Sequence, residues 1–255
     1  MSIDFRATLR AAFYSLAAVA APPLLSLATV APAQADGPFT VLPANATPLA
    51  ERRADGYALT SWLTFSQLDS VCGGECAVTL SAGKFIESNM SEIFMYGDPV
   101  FPWEYNFTDD YIVTLAASRR VATLFDVIDL EVEAGVGQRF GLESTVEVWV
   151  AGYARWTAFP WNDHVRTSIA INTGLNYASD VTALERKRGD TPNGSELLHY
   201  LAPEITVAHP DWKRSAVVLR FHHRSGGEML WGDSWLFNGV SGGAQYFTLG
   251  LRQRF

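Results

Sequence analysis

The sequence predicts an all-β protein, an eight-stranded antiparallel up-and-down transmembrane β-barrel, with ten strands possible. Three observations carry this. From Ala77 onward, side chains alternate with the strand period of two. The alternation sets an apolar row against a row rich in charge, which suits lipid on one side of a strand and a polar lumen on the other. The connections also alternate between short and long, and the chain ends in a strand closed by Phe255.

In the first strand Val78 and Leu80 alternate with Thr79 and Ser81. Residues 87–110 read as a loop, with Gly97, Pro99 and Pro102. Tyr111, Val113, Leu115 and Ala117 then alternate with Thr114, Ala116 and Ser118. Next, Ile128, Leu130 and Val132 oppose Asp129, Glu131 and Glu133, and so regular a carboxylate row must lie on the wet side. Val146, Val148 and Val150 oppose Glu147, Trp149, Tyr153 and Arg155. Ile169, Ile171 and Leu175 oppose Ser168, Asn172 and Asn176. Leu201, Ile205 and Val207 oppose Glu204 and Thr206, with Pro203 forecasting an irregularity. Val217, Leu219, Phe221, His223 and Ser225 oppose Val218, Arg220, His222 and Arg224. Last, Phe247, Leu249 and Leu251 oppose Thr248, Arg252 and Arg254. Placing Phe255 at the periplasmic end makes 159–163 and 210–213 short inner turns. The segments 87–110, 178–195 and 226–242 become outer loops. Trp156, Trp161 and Trp212 then fall near the inner edge, and Trp231 and Trp235 near the outer one, as aromatic girdles do.

The N-terminus reads as a targeting segment. Arg6 and Arg10 precede an apolar run to Val30 that Pro22 and Pro23 interrupt, and Ala33-Gln34-Ala35 suits cleavage. The expected organisation is a signal peptide over 1–35, a periplasmic lead-in over 36–76 and a barrel over 77–255. Residues 57–71 suit either a helical face through Trp62, Phe65 and Leu68 or a strand over 57–65. No later stretch reaches the ~20 apolar residues of a membrane helix, so a membrane location requires a closed barrel. Cys72 and Cys76 in an exported chain are expected to form a small disulfide loop. Two thiols do not complete a zinc site, so no metal is expected. The net charge of −8 argues against a nucleic-acid partner.

Candidate chemistry lies at the upper end of the ascending strand 214–225. His223 and Ser225 share the outward face, and an imidazole there can activate the hydroxyl if Ser225 begins to turn. Gly226 and Gly227 allow backbone amides to approach an oxyanion. The chemistry would be ester cleavage on a lipid lying against the barrel wall. The plain reading, a rim histidine and a turn serine, stands beside it. Gly239-Val-Ser-Gly-Gly243 matches a nucleophile elbow, but a strand rather than a helix should come after it. Asp129, Glu131, Glu133 and Glu147, with Arg155, Arg166, Arg220, Arg252 and Arg254, form either a polar plug or an ion path; eight strands favour the plug. The run 185–190, Glu-Arg-Lys-Arg-Gly-Asp, reads as a solvated outer loop that can also meet lipid phosphates.

Leu219-Arg-Phe-His-His-Arg-Ser-Gly-Gly227 and Phe237-Asn-Gly-Val-Ser-Gly-Gly-Ala-Gln-Tyr-Phe-Thr-Leu-Gly-Leu-Arg-Gln-Arg-Phe255 resemble the PagL-type lipid A 3-O-deacylases, also called acyloxyacyl-hydrolase-like. The resemblance is sharpest over 214–255. It implies an eight-stranded barrel in the bacterial outer membrane that hydrolyses the acyl ester at the 3 position of lipid A. A His-x-Ser motif on the outer face would do so. By that motif His223 is the base and Ser225 the nucleophile. Two positions depart from it: Gly226 stands where the family has Asn, and Gln245 stands where the acid is expected. Gln245 has the outward parity of Phe247 and can orient an imidazole, but it cannot stabilise imidazolium as a carboxylate does. Glu228 and Asp233 are alternative acids. The expected partners are lipopolysaccharide and the membrane, with no cofactor and a monomer or weak homodimer. The rival expectation is a non-catalytic barrel with a structural or surface-interaction role.

Overall fold

The computed structural model describes residues 57–60, 62–66, 71–88, 90, 92–96, 101–188, 194–226, 237, 239–240 and 242–255. The expected signal peptide, most of the lead-in, Gly227, Glu228, Asp233, Trp231 and Trp235 lie outside these residues. The described residues belong to two units, of which the smaller is the segment 86–107. Glu92–Tyr96 forms one π-helical turn there and Pro102–Glu104 a 3-10 turn. The Phe101 and Trp103 rings stack at 4.6 Å, and Glu87 N donates to Asn106 O.

The larger unit is the barrel. Its strands are β1 (Tyr57–Thr60), β2 (Leu63–Phe65), β3 (Cys76–Ile86), β4 (Phe107–Leu124), β5 (Ile128–Phe140), β6 (Thr145–Trp156), β7 (Arg166–Ala178), β8 (Leu197–Leu201), β9 (Glu204–Ala208), β10 (Ser215–Ser225) and β11 (Gly243–Arg254). β3 to β7 pair in chain order, β8 and β9 together form the next stave, and β10 and β11 follow. β11 then pairs with β3 from Arg254↔Ala77 to Tyr246↔Phe85, which closes a ring of eight staves. Closure removes the open edges that such a sheet would otherwise expose to lipid.

Most expected strands fall where the alternation put them, with three differences. First, β4 runs over 107–124, longer than the alternating stretch at 111–118. It carries a register shift between Arg120 and Ala122. Second, the irregularity at Pro203 is a full break between β8 and β9, because proline has no N–H to give the ladder. The break is bridged by Phe221 N donating to Pro203 O at 2.9 Å and by Ala202 N donating to the Asn172 side chain. Third, residues 57–65 are strands but do not enlarge the ring to ten. They form the short hairpin β1–β2, paired only to the end of β4 at Ala122–Leu124. There Trp62 stacks on Phe125, which has φ of 49° in the tight β4–β5 turn, and Phe125 N donates to Trp62 O. Cys72 and Cys76 are joined at the start of β3.

The two faces of the wall differ in chemistry. Leu80, Leu115, Val132, Val148, Val150, Leu249 and Leu251 point outward and are 47–66% exposed. A belt of that size on a protein in water would be a large apolar patch; on a lipid-embedded wall it is the expected surface. Trp156, Trp161, Trp212 and Phe255 are exposed at the short-turn end. At the long-loop end Tyr111 stacks on Phe140 at 5.7 Å.

The carboxylate row faces the lumen, where guanidinium groups take the place of water. Arg155 donates to both oxygens of Glu131, at 3.0 and 3.1 Å, and also to Glu204. Arg220 donates to both oxygens of Glu133, at 2.9 and 2.7 Å, and to Glu204 at 2.8 Å. Arg252 donates to Glu131 at 2.8 Å. Trp149 Nε1 and Tyr153 OH complete Glu133. The Trp149 indole lies over Gly135 in the facing strand, where a Cβ would stand 2.1 Å from Cζ2. Arg–carboxylate pairs thus cross the interior among the described residues, which suits the plug reading that eight strands favour.

Candidate active site

The site lies at the end of β10 that leads into the long connection 226–242. Side chains there alternate across the wall. His222 and Arg224 are buried in the lumen, where His222 pairs with Glu147 through Nε2 and with Tyr200 OH through Nδ1 at 2.9 Å. Parity therefore keeps His222 away from the outer face, as the sequence expected. His223 and Ser225 point outward, and the Ser225 hydroxyl lies 2.9 Å from His223 Nε2. If Nδ1 carries the imidazole proton, Nε2 accepts from the hydroxyl, which is the tautomer a general base needs.

Pairing fixes the neighbours. His223 is opposite Gln245 of β11 on one side and Leu201 of β8 on the other. Ser225 is opposite Gly243 of β11 and His199 of β8. The register thus brings Gln245 directly across from His223.

The pair keeps the outward parity expected of it but is not fully open to lipid: His223 is half-buried. Ser225 is only 9% exposed and Gln245 1%, although both have outward parity. Phe237 and Val240 pack with Leu198 at this end of the wall. The Phe237 ring lies 6.5 Å from that of His199, and Gly226 runs against Val240. A Cβ at Gly226 would sit 1.4 Å from Val240 O, so the strand end and the returning chain meet backbone to backbone. Glycine at 226 is thereby explained by close approach, and Gly227 lies outside the described residues. In Gly239–Gly243, Ser241 lies outside the described residues as well. The segment leads into β11 rather than a helix, so the elbow geometry is not met.

One residue was missed. His199 has outward parity between Leu197 and Leu201, yet it is 3% exposed and hydrogen-bonds Thr173 Oγ1 through Nε2 at 2.9 Å. A second imidazole therefore flanks Ser225 from the adjacent strand. Its only sequence signal is a polar residue on an apolar row, which reads equally as rim polarity.

A correction concerns the charged run at 185. A short helix α1 (Ala183–Arg188) forms there, and Glu185 is buried at 3% exposure rather than solvated. Its carboxylate pairs with Arg139 at 3.2 Å and Arg224 at 3.4 Å. Arg186 and Lys187 do remain exposed.

No group of three or more metal-ligating side chains occurs among the described residues. No protein-family model matches the chain, and no curated protein matches it. Solved structures similar to it include the outer-membrane enzyme PagL, at 14% identity over 70% of this chain and 99% of that one, with a TM-score of 0.44. Neisserial surface protein A is similar at 11% identity over 72% and 98%, with a TM-score of 0.43. A de novo designed transmembrane β-barrel is similar at 11% identity over 71% and 96%, with a TM-score of 0.37.

Proposed function

We propose that this chain is an esterase of the bacterial outer membrane that removes an acyl chain from lipid A, using Ser225 and His223. The observation that carries the reading is the 2.9 Å approach of the Ser225 hydroxyl to His223 Nε2 on the outward side of β10. The substrate class rests on the resemblance of residues 214–255 to the deacylase motif. On this reading residues 1–35 are a removed export signal, Phe255 lies at the periplasmic mouth, and the long connections face outward.

The reaction balances without a cofactor. Ser225 Oγ attacks the ester carbonyl carbon as His223 Nε2 takes the hydroxyl proton. The negative charge moves to the carbonyl oxygen, and this reading assigns the Gly226 backbone amide to meet it. Collapse breaks the bond to the sugar oxygen, and His223 returns its proton to that leaving oxygen. A water then attacks the acyl-serine, His223 again accepts a proton, and a free fatty acid departs as Ser225 is restored. Gln245, across from His223 in the register, is assigned the orienting role. It adds no charge to the imidazolium, so acylation is slower than in a site with a carboxylate.

The test is release of hydroxy fatty acid from purified lipopolysaccharide, read by mass spectrometry. Wild type releases it; Ser225→Ala and His223→Ala do not, while both retain the heat-modifiable gel mobility of a folded barrel. If wild type releases nothing, or if Ser225→Ala matches it, the reading is wrong. The neutral side chain at 245 favours a second reading, a barrel without catalysis that serves a structural or surface role. That outcome would follow from a folded, inactive wild type.

A further inference from the structure

We propose that Glu185 and Arg224 are positioning residues: residues 181–185 and 194–196 of the connection after β7 grip the end of β10 from inside the barrel and so set the placement of His223 and Ser225 outside it. The role assigned to these two residues rests on the esterase reading; the grip itself does not.

The two inward residues that flank His223 belong to one ionic net, with Glu185 at its head. Arg224 pairs with Glu185 at 3.4 Å, and its Nη2 donates to Ser195 O at 2.9 Å and Glu196 O at 2.7 Å. Arg139 pairs with the same Glu185 oxygen at 3.2 Å and also with Glu147. Glu147 in turn holds His222, whose other nitrogen meets Tyr200 OH. The connection therefore reaches residue 224 directly and residue 222 through two side chains.

The connection is itself anchored. Leu184 packs on Phe85, Ile112, Ala244 and Tyr246. Glu185 Oε2 accepts from Thr182 N at 3.2 Å, and Thr182 Oγ1 accepts from Glu185 N at 3.2 Å, a capping box at the start of α1. The Glu143 carboxylate accepts from Ala183 N at 2.8 Å, and Ala178 N donates to Glu196 O. Gly194 has φ of 62° and approaches Val181 so closely that a Cβ would stand 2.4 Å from Cγ1.

In an extended chain the Cα positions of 222 and 224 determine where the peptides on either side of 223 lie. A nucleophile and base out of place by an ångström lose on the order of 100-fold in rate. The inward net thus governs outward chemistry without touching a substrate.

The experiment compares wild type, Glu185→Gln, Glu185→Asp and Arg224→Lys in detergent micelles. One arm follows amide hydrogen exchange at 222–225. The other follows the rate at which a fluorophosphonate probe labels Ser225, together with kcat and KM on lipopolysaccharide. Glu185→Gln is expected to speed exchange at 222–225 roughly tenfold and leave the middle of β5 and β6 unchanged. It should slow labelling and kcat by roughly 10- to 100-fold with KM held, and Glu185→Asp should recover part of both. Arg224→Lys keeps the charge and loses the fork that reaches Ser195 and Glu196, so it gives the same pattern if Glu185→Gln fails to fold. Exchange and labelling rates equal to wild type in a folded variant overturn the proposal. If exchange quickens but wild-type Ser225 neither labels nor hydrolyses, the grip stands, and the esterase reading fails along with the positioning role.

Discussion

Replacing Arg220 by Met removes one cation from a central net that is otherwise balanced. The central net holds three carboxylates, Glu131, Glu133 and Glu204, and three guanidinium groups, Arg155, Arg220 and Arg252. Arg220 is 1% exposed and donates three hydrogen bonds, two to Glu133 and one to Glu204. Without it, Glu204 keeps Arg155, whereas Glu133 keeps only the neutral donors Trp149 and Tyr153. Breaking a buried pair from one side costs about 3–5 kcal/mol, because a charge is left without its counterpart. Changing Glu133 to Gln in the same protein removes that stranded charge while an amide oxygen can still accept from Trp149 and Tyr153. The double variant should therefore be more stable than Arg220→Met alone, with a coupling of roughly 1–3 kcal/mol. The assay is urea unfolding in lipid vesicles, followed by gel mobility and tryptophan fluorescence. Arg220→Met within about 1 kcal/mol of wild type, or no coupling in the double variant, would refute the claim that these ion pairs hold the lumen together.

Val150 is 58% exposed at mid-strand, so Val150→Arg should cost about 2–4 kcal/mol of folding stability in vesicles; a neutral effect would place that face in water. On the plug reading, the purified protein in a planar bilayer should give no steady single-channel current, and stepwise conductance would contradict it. Gly226→Ala puts a methyl group 1.4 Å from Val240 O, so the backbone must part there; slower Ser225 labelling with global stability nearly kept is expected, and unchanged labelling would disprove the close approach. Gln245→Glu places a carboxylate across from His223, and hydrolysis should rise roughly tenfold or more if 245 is the orienting position. No gain in a folded variant would remove 245 from the site.

The barrel was legible because its wall repeats one local rule. Asp129, Glu131 and Glu133 against Leu130 and Val132 could not be reversed without putting carboxylates into lipid. The full length of β4 was not legible, because Arg119-Arg120 and the register shift at Arg120/Ala122 break the period over its last turn-ward third. The fate of Glu185 was hidden for a different reason. Locally it heads a run of basic residues, and only Arg139 and Arg224, 46 and 39 residues away in sequence, draw it inside. His199 was hidden because its meaning is relational. It becomes notable only once the β8–β10 register sets it opposite Ser225, and that register passes through the break at Pro203. Parity alone sorted His222 from His223, since a single residue step moves a side chain through the wall.

The same one-residue step governs how the candidate site is held. An active site on a loop is usually fixed by packing around the loop; here the dyad is on a strand whose reverse side is part of an ionic core. His222 and His223 differ by one position and share a peptide, yet one meets Glu147 and Tyr200 and the other meets Ser225. A lipid-facing surface offers few polar groups with which to orient an imidazole, because each would itself need a partner there. The lumen adds to the orientation that Gln245 supplies on the outer face, transmitted through backbone rather than through side-chain contacts. Substitutions inside the barrel near residues 139, 147 and 185 should therefore combine non-additively with those at 223 and 225, even though the two sets lie on opposite faces of the wall.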